Sequence, residues 1–318
     1  MGSHFIAVSG GVGGAKLALG LAGALDPERL TIVCNTGDDF DHLGFRICPD
    51  LDTVMYTLAG VSNQSLGWGQ EGESWHFLDA LERLGGETWF RLGDRDLATH
   101  TIRRQLLNEG MSLSEATREL ASRLGVKPAL VPMTDDDVPT IVMTDGGEPL
   151  SFQHYFVRDR CAPAVSGFEF RGVAQAAPAP AFVEALERPD LGGVLICPSN
   201  PFVSVDPVLA LPGVLDAMAA SPAPVIAVSP IVAGLAIKGP AAKMMRELGM
   251  PQTALAVAAH YEGRIDGFVL DEQDAATAPA IEALGMKVHV AQTVMQTVAD
   301  KLALANETLA FAETITPG

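Results

Sequence analysis

Short apolar runs along this chain alternate with longer segments whose apolar residues recur at helical spacing. The runs at 5–8, 30–34, 194–197, 225–228 and 268–270 show no regular polar alternation, so they predict strands buried on both faces, and Lys287 to Val290 predicts one more strand. Between them, residues 15–25 have helical composition, and Pro49 with Asp50 and Asp52 opens a helix to about residue 59. Further helices are predicted over 74–84, 96–109 and 112–124, the last opening with a Ser-x-x-Glu capping box (Ser112, Glu115), and a closing helix over 294–313. Residues 140–143 and 151–157 read as a hairpin around Asp145-Gly146-Gly147, and 174–181 as a Pro/Ala linker. Strands alternating with helices predict an α/β fold with a doubly wound, mainly parallel, Rossmann-like sheet. The chain reads as one domain over 5–318, with a nucleotide-binding core from 5–60 and 190–318 and a mostly helical cap, about 61–180, carrying the small hairpin.

Composition narrows the classes. The 318 residues are 48% hydrophobic, ample for a sizeable core. A formal charge of −18 disfavours nucleic acid and anionic membranes as partners, since both need a basic surface. Cys34, Cys48, Cys161 and Cys197 are scattered without CxxC spacing and read as buried thiols. Met1 to His4 reads as a tag remnant, and with no signal peptide or long apolar span the expected location is cytoplasmic.

The chemistry concentrates where predicted strands end. Ser9-Gly-Gly-Val-Gly-Gly-Ala-Lys16 is a glycine-rich turn before a helix, a setting that lets backbone N–H groups meet an anion. It is neither a P-loop nor a clean dinucleotide fingerprint, so a plain tight turn is the alternative. Asn35 to Tyr56 places five carboxylates (Asp38, Asp39, Asp41, Asp50, Asp52) directly after an apolar strand. Oxygen ligands at that edge suit Mg²⁺ with a phosphorylated substrate; helix capping is the alternative. Cys197-Pro-Ser-Asn-Pro-Phe-Val-Ser204 and Ser229-Pro-Ile-Val-Ala-Gly-Leu-Ala-Ile-Lys-Gly-Pro240 also follow strands. Lys16, Arg46 and Lys238 are candidate cations. Arg91-Leu-Gly-Asp-Arg-Asp-Leu-Ala-Thr-His100 could equally be a salt-bridged helix start.

Taken in order with Gly67-Trp-Gly69, Pro132-Met-Thr-Asp-Asp and Phe152-Gln153, these motifs closely resemble the CofD/FbiA family, the 2-phospho-L-lactate transferases of coenzyme F-420 biosynthesis. The resemblance spans roughly 5–315. It implies transfer of a phospho-carboxylic acid group (2-phospho-L-lactate, or its phosphoenolpyruvyl or 3-phosphoglyceryl equivalent) from a guanosine diphosphate-linked donor. The acceptor is the ribityl hydroxyl of Fo, a deazaflavin, and GMP is released. It also implies Mg²⁺, small-molecule substrates and a homodimer. Asp38, Asp39 and Asp52 become the expected catalytic residues, and the same three with Asp50 the metal ligands. Asp52, Arg91, Asp94 and His100 are the expected acceptor contacts. Gly10, Gly11, Val12, Gly13, Gly14, Lys16, Ser199, Asn200, Pro201, Ser229, Pro230, Ile231 and Lys238 are the expected donor contacts. An Asp39→Asn, Asp52→Asn double variant is expected to fold without catalysing transfer. The competing class is a non-catalytic regulator of the YvcK-like type that binds a nucleotide sugar. An Fo-binding titration separates the two.

Overall fold

The computed structural model describes residues 2–236 and 239–315. Seven parallel strands form the central sheet: β1 (His4–Ser9), β2 (Leu30–Cys34), β3 (Ala129–Pro132), β4 (Leu191–Ile196), β5 (Val225–Val228), β6 (Gly267–Asp271) and β7 (Lys287–Ala291). Their spatial order is β7-β6-β5-β4-β1-β2-β3. The chain runs from β1 toward β2 and β3, then returns to lay down β4 to β7 on the other side. The direction of winding therefore switches between β1 and β4, where open α/β sheets leave a crevice at the strands' carboxyl ends.

Both faces of the sheet are covered. Ile6 and Val8 point into one apolar core; Phe5 and Ala7 point into the other. Period-two alternation between two dry faces explains why the strands read as unbroken apolar runs. The second core is closed by helices α1 (Gly11–Ala24), α2 (Pro49–Leu58), α4 (Asp94–Asn108), α5 (Leu113–Arg123) and α6 (Val298–Thr314), with α3 (His76–Arg83) lying nearer the surface. The α5 capping box forms as the sequence predicts. Helices α1 and α6 approach so closely that a side-chain carbon at Gly20 would lie 2.1 Å from the Lys301 carbonyl oxygen.

Several expectations change. The segment 61–180 is not one cap. β3 inside it is an edge strand of the core sheet, and α4 and α5, packed on each other with α5 against β3, form the crossover that leads there. β3 is only four residues long and ends in proline, tolerable at an edge, so its sequence carries little strand signal. The parts that lie over the crevice are the stretch around α3 and a three-stranded antiparallel sheet, Thr140–Thr144, Leu150–Ser151 and Val165–Phe170. The strand expected over 151–157 stops at Ser151, and His154–Arg158 is helical. Phe152 and Phe156, four apart, stack on each other, while Tyr155 is buried in the first core. The linker expected over 174–181 contains a short turn, Val173–Gln175, and the start of a helix, Pro180–Leu186. A hairpin, Phe40–His42 with Phe45–Ile47, turns at Leu43 and Gly44, both at positive φ; Leu-Gly is not the usual signal for such a turn. His4, expected within a tag remnant, is part of the fold. It begins β1, 4% exposed, with its ring nitrogens bonded to Glu28 O and Thr31 Oγ1. Among the described residues no single helix is long and apolar enough to cross a membrane.

Candidate active site

A cavity of about 640 Å³ opens at the switch point between β1 and β4. Its floor is the start of α1. Residues 10–14 were expected as a turn, but the helix begins at Gly11 with Gly10 as its cap. Glycine is needed there because α1 runs against the β4 loop. A side-chain carbon at Gly13 would sit 2.3 Å from Pro198 O, and one at Gly14 2.4 Å from Ser9 Oγ. Ser199 locks the two loops together, its Oγ accepting from Gly10 N and donating to Gly10 O. Gly10 has no side-chain cap to offer and no acid stands in the first turn of α1 itself; Asp50 takes the Gly11 N–H, and the next α1 N–H groups are left to a ligand.

The acidic cluster divides. Asp50 and Asp52 are two apart on α2 and point to different sides, at about 100° per residue. Asp50 lines the cavity with Asp38. A chain of hydrogen bonds connects them: Gly11 N donates to Asp50 Oδ1 (2.5 Å), and Asn35 Nδ2 donates to Asp50 Oδ2 (3.0 Å) and Asp38 Oδ1 (3.3 Å). Gln153 Nε2 then donates to Asp38 Oδ2 (3.2 Å). Burial raises Asp38 well above the usual carboxylate range, and the charges of Asp50 and Asp39 push it further. Burial lifts Asp50 to about 6 against the pull of Asn35 and Gly11 N–H. Two buried carboxylates sharing one donor thus face a common space.

Asp39 does not line this cavity. Burial lifts it to about 7 against the opposing charge of Arg46, whose Nε stands 3.8 Å away, and neither carboxylate oxygen accepts a hydrogen bond. Asp52 turns into the protein and pairs with Arg103, which donates to both of its oxygens. Arg103 also contacts His100 Nδ1 at 3.1 Å; His100 Nε2 is 3.3 Å from Asp96, which accepts from Tyr56 Oη at 2.6 Å. The expectation of four aspartates on one ion is therefore corrected: the Arg103 guanidinium occupies Asp52. His100, 1% exposed within that network, does not reach the cavity. Asp94 is also removed from the acceptor set, since it accepts from Ser74 Oγ, His76 N and Phe77 N and so caps α3. Those bonds hold its pKa below the usual range, Ser74 first.

Among the remaining expected residues, Gly10, Gly11, Val12, Gly13, Lys16, Arg91, Ser199, Asn200 and Pro230 line the cavity. Arg91 rests over the Trp75 ring at 4.3 Å. Lys16 donates to Met295 O at 2.8 Å. Gly14, Pro201, Ser229 and Ile231 lie behind the wall: Ser229 Oγ ties its own turn by bonding Ile231 N and O. Lys238 lies outside the described residues. The sequence reading missed Asn35 as the bridge. It also missed the aromatic wall of Trp68, Trp89, Phe90, Phe152 and Phe156. Phe152 and Phe156 stack at 5.4 Å, and Trp89 and Phe90 meet edge to face at 5.8 Å. Scattered single aromatics in a chain only 6% aromatic were the available signal.

The sequence model described as "2-phospho-L-lactate transferase CofD" matches residues 5–305. The chain belongs to the CofD family. It is 41% identical to the phosphoenolpyruvate transferase of Kitasatospora aureofaciens, over 99% of each chain. It is 42% identical to the protein of the same name from Streptomyces avermitilis, and 39% to the 2-phospho-L-lactate transferase of Methanosarcina acetivorans; each match covers 98% of this chain and 99% of the relative. Among solved structures it resembles a member of the UPF0052 family from Bacillus halodurans, with TM-score 0.63 at 13% identity over 98% of this chain and 99% of that one. That likeness concerns the fold. The CofD match agrees with the transferase family that the motifs resemble.

Proposed function

We propose that this protein transfers a phospho-carboxylic acid group from a guanosine diphosphate-linked donor to the ribityl hydroxyl of Fo, releasing GMP, in coenzyme F-420 biosynthesis. The observation that carries this is the hydrogen-bond chain from Gly11 through Asp50, Asn35 and Asp38 to Gln153. It runs from an anion-binding helix start to an aromatic wall within one cavity. Such a cavity suits a diphosphate at one end and a flat deazaflavin at the other, with carboxylates between them.

In this reading the α1 N–H groups hold the diphosphate, and Arg91 with the aromatic wall holds the acceptor. Asp38 orients the ribityl hydroxyl and takes its proton as the new P–O bond forms. A buried carboxylate with a raised pKa is the stronger base. The bond to the GMP phosphate breaks in line, and the charge departs on that oxygen. The residues present fit Mg²⁺: Asp38 and Asp50 offer hard oxygen donors whose mutual repulsion a cation would relieve. When bound, Mg²⁺ supplies charge neutralisation to the diphosphate. A cytoplasmic homodimer belongs to the same reading; sedimentation measures the second part.

The test is a coupled assay with purified protein, GTP, Mg²⁺, Fo and a guanylyltransferase, supplied in turn with phospholactate, phosphoenolpyruvate and 3-phosphoglycerate. Mass spectrometry should find a new Fo phosphodiester with at least one acid. No product from any acid, with nucleotide bound tightly, overturns the proposal.

A further inference from the structure

Beside the main cavity opens a second of about 170 Å³. The two share Val12, Lys16, Thr53, Gly67 and Trp68 in their walls, so the smaller adjoins the larger as a side branch. The side branch lies between the first turns of α1, the middle of α2 and the start of α6. Its remaining wall is polar, supplied by Ser62, Asn63, Gln64, Gln296 and Lys301 among others.

Lys301 is the unusual member. It is 4% exposed, carried into the branch because glycine at position 20 lets α6 lie directly on α1. Among the described residues no hydrogen bond and no ion pair engages its ammonium. The adjacent Asp300 is already used in the α6 capping box, accepting from Gln296 N at 2.9 Å and Thr297 N at 2.7 Å. No Asp or Glu lines the branch, although this chain carries eighteen more negative than positive charges. An ammonium at the end of a largely buried side chain that lines the branch gains from a charge-assisted bond to an anion placed there. With Lys16 at the junction, the branch holds two cations and no carboxylate. That disfavours a metal ion and favours an anionic group.

We infer that the side branch seats the carboxylate of the transferred phospho-acid, with Lys301 as its specificity-determining contact. This rests on the transferase reading above. In that reading the diphosphate lies on the α1 helix start, and the carboxylate is a few bonds from the phosphorus that moves. A group leaving the helix start past Val12 and Lys16 enters the branch.

The experiment compares two donors: guanosine diphosphate linked to lactate, and the same molecule with isopropyl in place of lactate, so that a methyl group replaces the carboxylate. Wild-type enzyme should favour the lactate donor by about 10- to 100-fold in kcat/KM, the range expected for a hydrogen bond to a charged group. Lys301→Gln should bring the lactate donor down to within about threefold of the isopropyl donor, mainly through KM; Lys301→Arg should restore part of the preference. GDP affinity by titration calorimetry should stay unchanged in Lys301→Gln. The inference fails if the variant keeps the preference, loses rate equally on both donors, or loses GDP affinity in parallel, which would place the diphosphate in the branch. Should wild-type enzyme transfer neither group to Fo, the functional reading itself falls and takes this inference with it. Donor binding measured without Fo separates that case from a misplaced carboxylate.

Discussion

Replacing Arg103 by methionine tests the division of the acidic cluster. Arg103 is 1% exposed, and its guanidinium meets both oxygens of Asp52 as well as His100 Nδ1. Burial disfavours its charge, but Asp52 outweighs that and holds its pKa above the usual value. Methionine fills much of the space and leaves Asp52 buried without its counter-charge. Breaking a buried pair from one side costs about 3–5 kcal/mol. That is a large share of the roughly 5–15 kcal/mol that holds a domain folded. Urea unfolding of Arg103→Met, Asp52→Leu and the double variant at pH 8 measures it. The double variant should be more stable than Arg103→Met alone, since it strands no charge. If Arg103→Met stays within about 1 kcal/mol of wild type, or the double variant is the least stable of the three, then Asp52 is not a structural partner. The expected Asp39→Asn, Asp52→Asn test would then recover its original meaning. As the structure stands, that double variant confounds lost activity with lost fold.

Three further outcomes follow from the site. Asp38→Asn should lower kcat on the order of 10²–10⁴-fold with an unchanged melting temperature, measured by Fo phosphodiester formation beside a thermal melt. Mg²⁺ should raise the melting temperature more at pH 8 than at pH 5.5. Asp50, raised to about 6, and Asp38, raised well above the usual carboxylate range, both by burial first, hold protons at pH 5.5 in the metal-free fold. Their contribution to stability is fully present below the unfolded-state value and is lost as pH rises through the folded values, while metal binding needs the ionised carboxylates. An equal or smaller shift at pH 8 counts against these ligands. Trp89→Ala should raise KM for Fo about two- to tenfold and leave KM for the donor unchanged, as steady-state kinetics with each substrate varied would reveal.

Much of this was legible in the chain because burial on both faces writes itself as uninterrupted hydrophobicity. The runs at 30–34 and 225–228 coincide with β2 and β5. What stayed hidden was direction. Asp50 and Asp52 look equivalent as letters, yet two positions along a helix separates their side chains. Asp96, His100 and Arg103 recur three and four apart on one face of α4. Mixed charge at that spacing is the sign of a buried network; of the three only His100 was expected to touch the acceptor, and the salt-bridged helix start, the alternative for this segment, is what forms. Asn35 was quoted only as part of a motif. Its role as the bridge between Asp38 and Asp50 depends on contacts with residues 3 and 15 positions away. β3 escaped because four residues ending in proline carry too little pattern to separate a strand from a loop.

The relatives sharpen where acid selectivity must reside. Proteins named phosphoenolpyruvate transferase and 2-phospho-L-lactate transferase match this chain at nearly equal identity, 42% and 39%, over nearly its whole length. Overall similarity therefore does not separate the acids, and a few side chains must. Both acids carry the same carboxylate, so a lysine that binds it distinguishes acids from neutral groups but not one acid from the other. They differ at the carbon beside it, planar in one and tetrahedral with a methyl group in the other. A difference of that size in an apolar contact is worth only about 1–3 kcal/mol. In the branched cavity, that carbon would sit at the neck, against Val12, Thr53 and Trp68. Substituting Thr53 by valine or serine changes the neck's width while Lys301 stays in place. The ratio of kcat/KM for the two donors should then move by about tenfold while their common preference over the isopropyl donor persists. A ratio that ignores Thr53 would put acid selectivity outside the neck, on the acceptor side of the cavity.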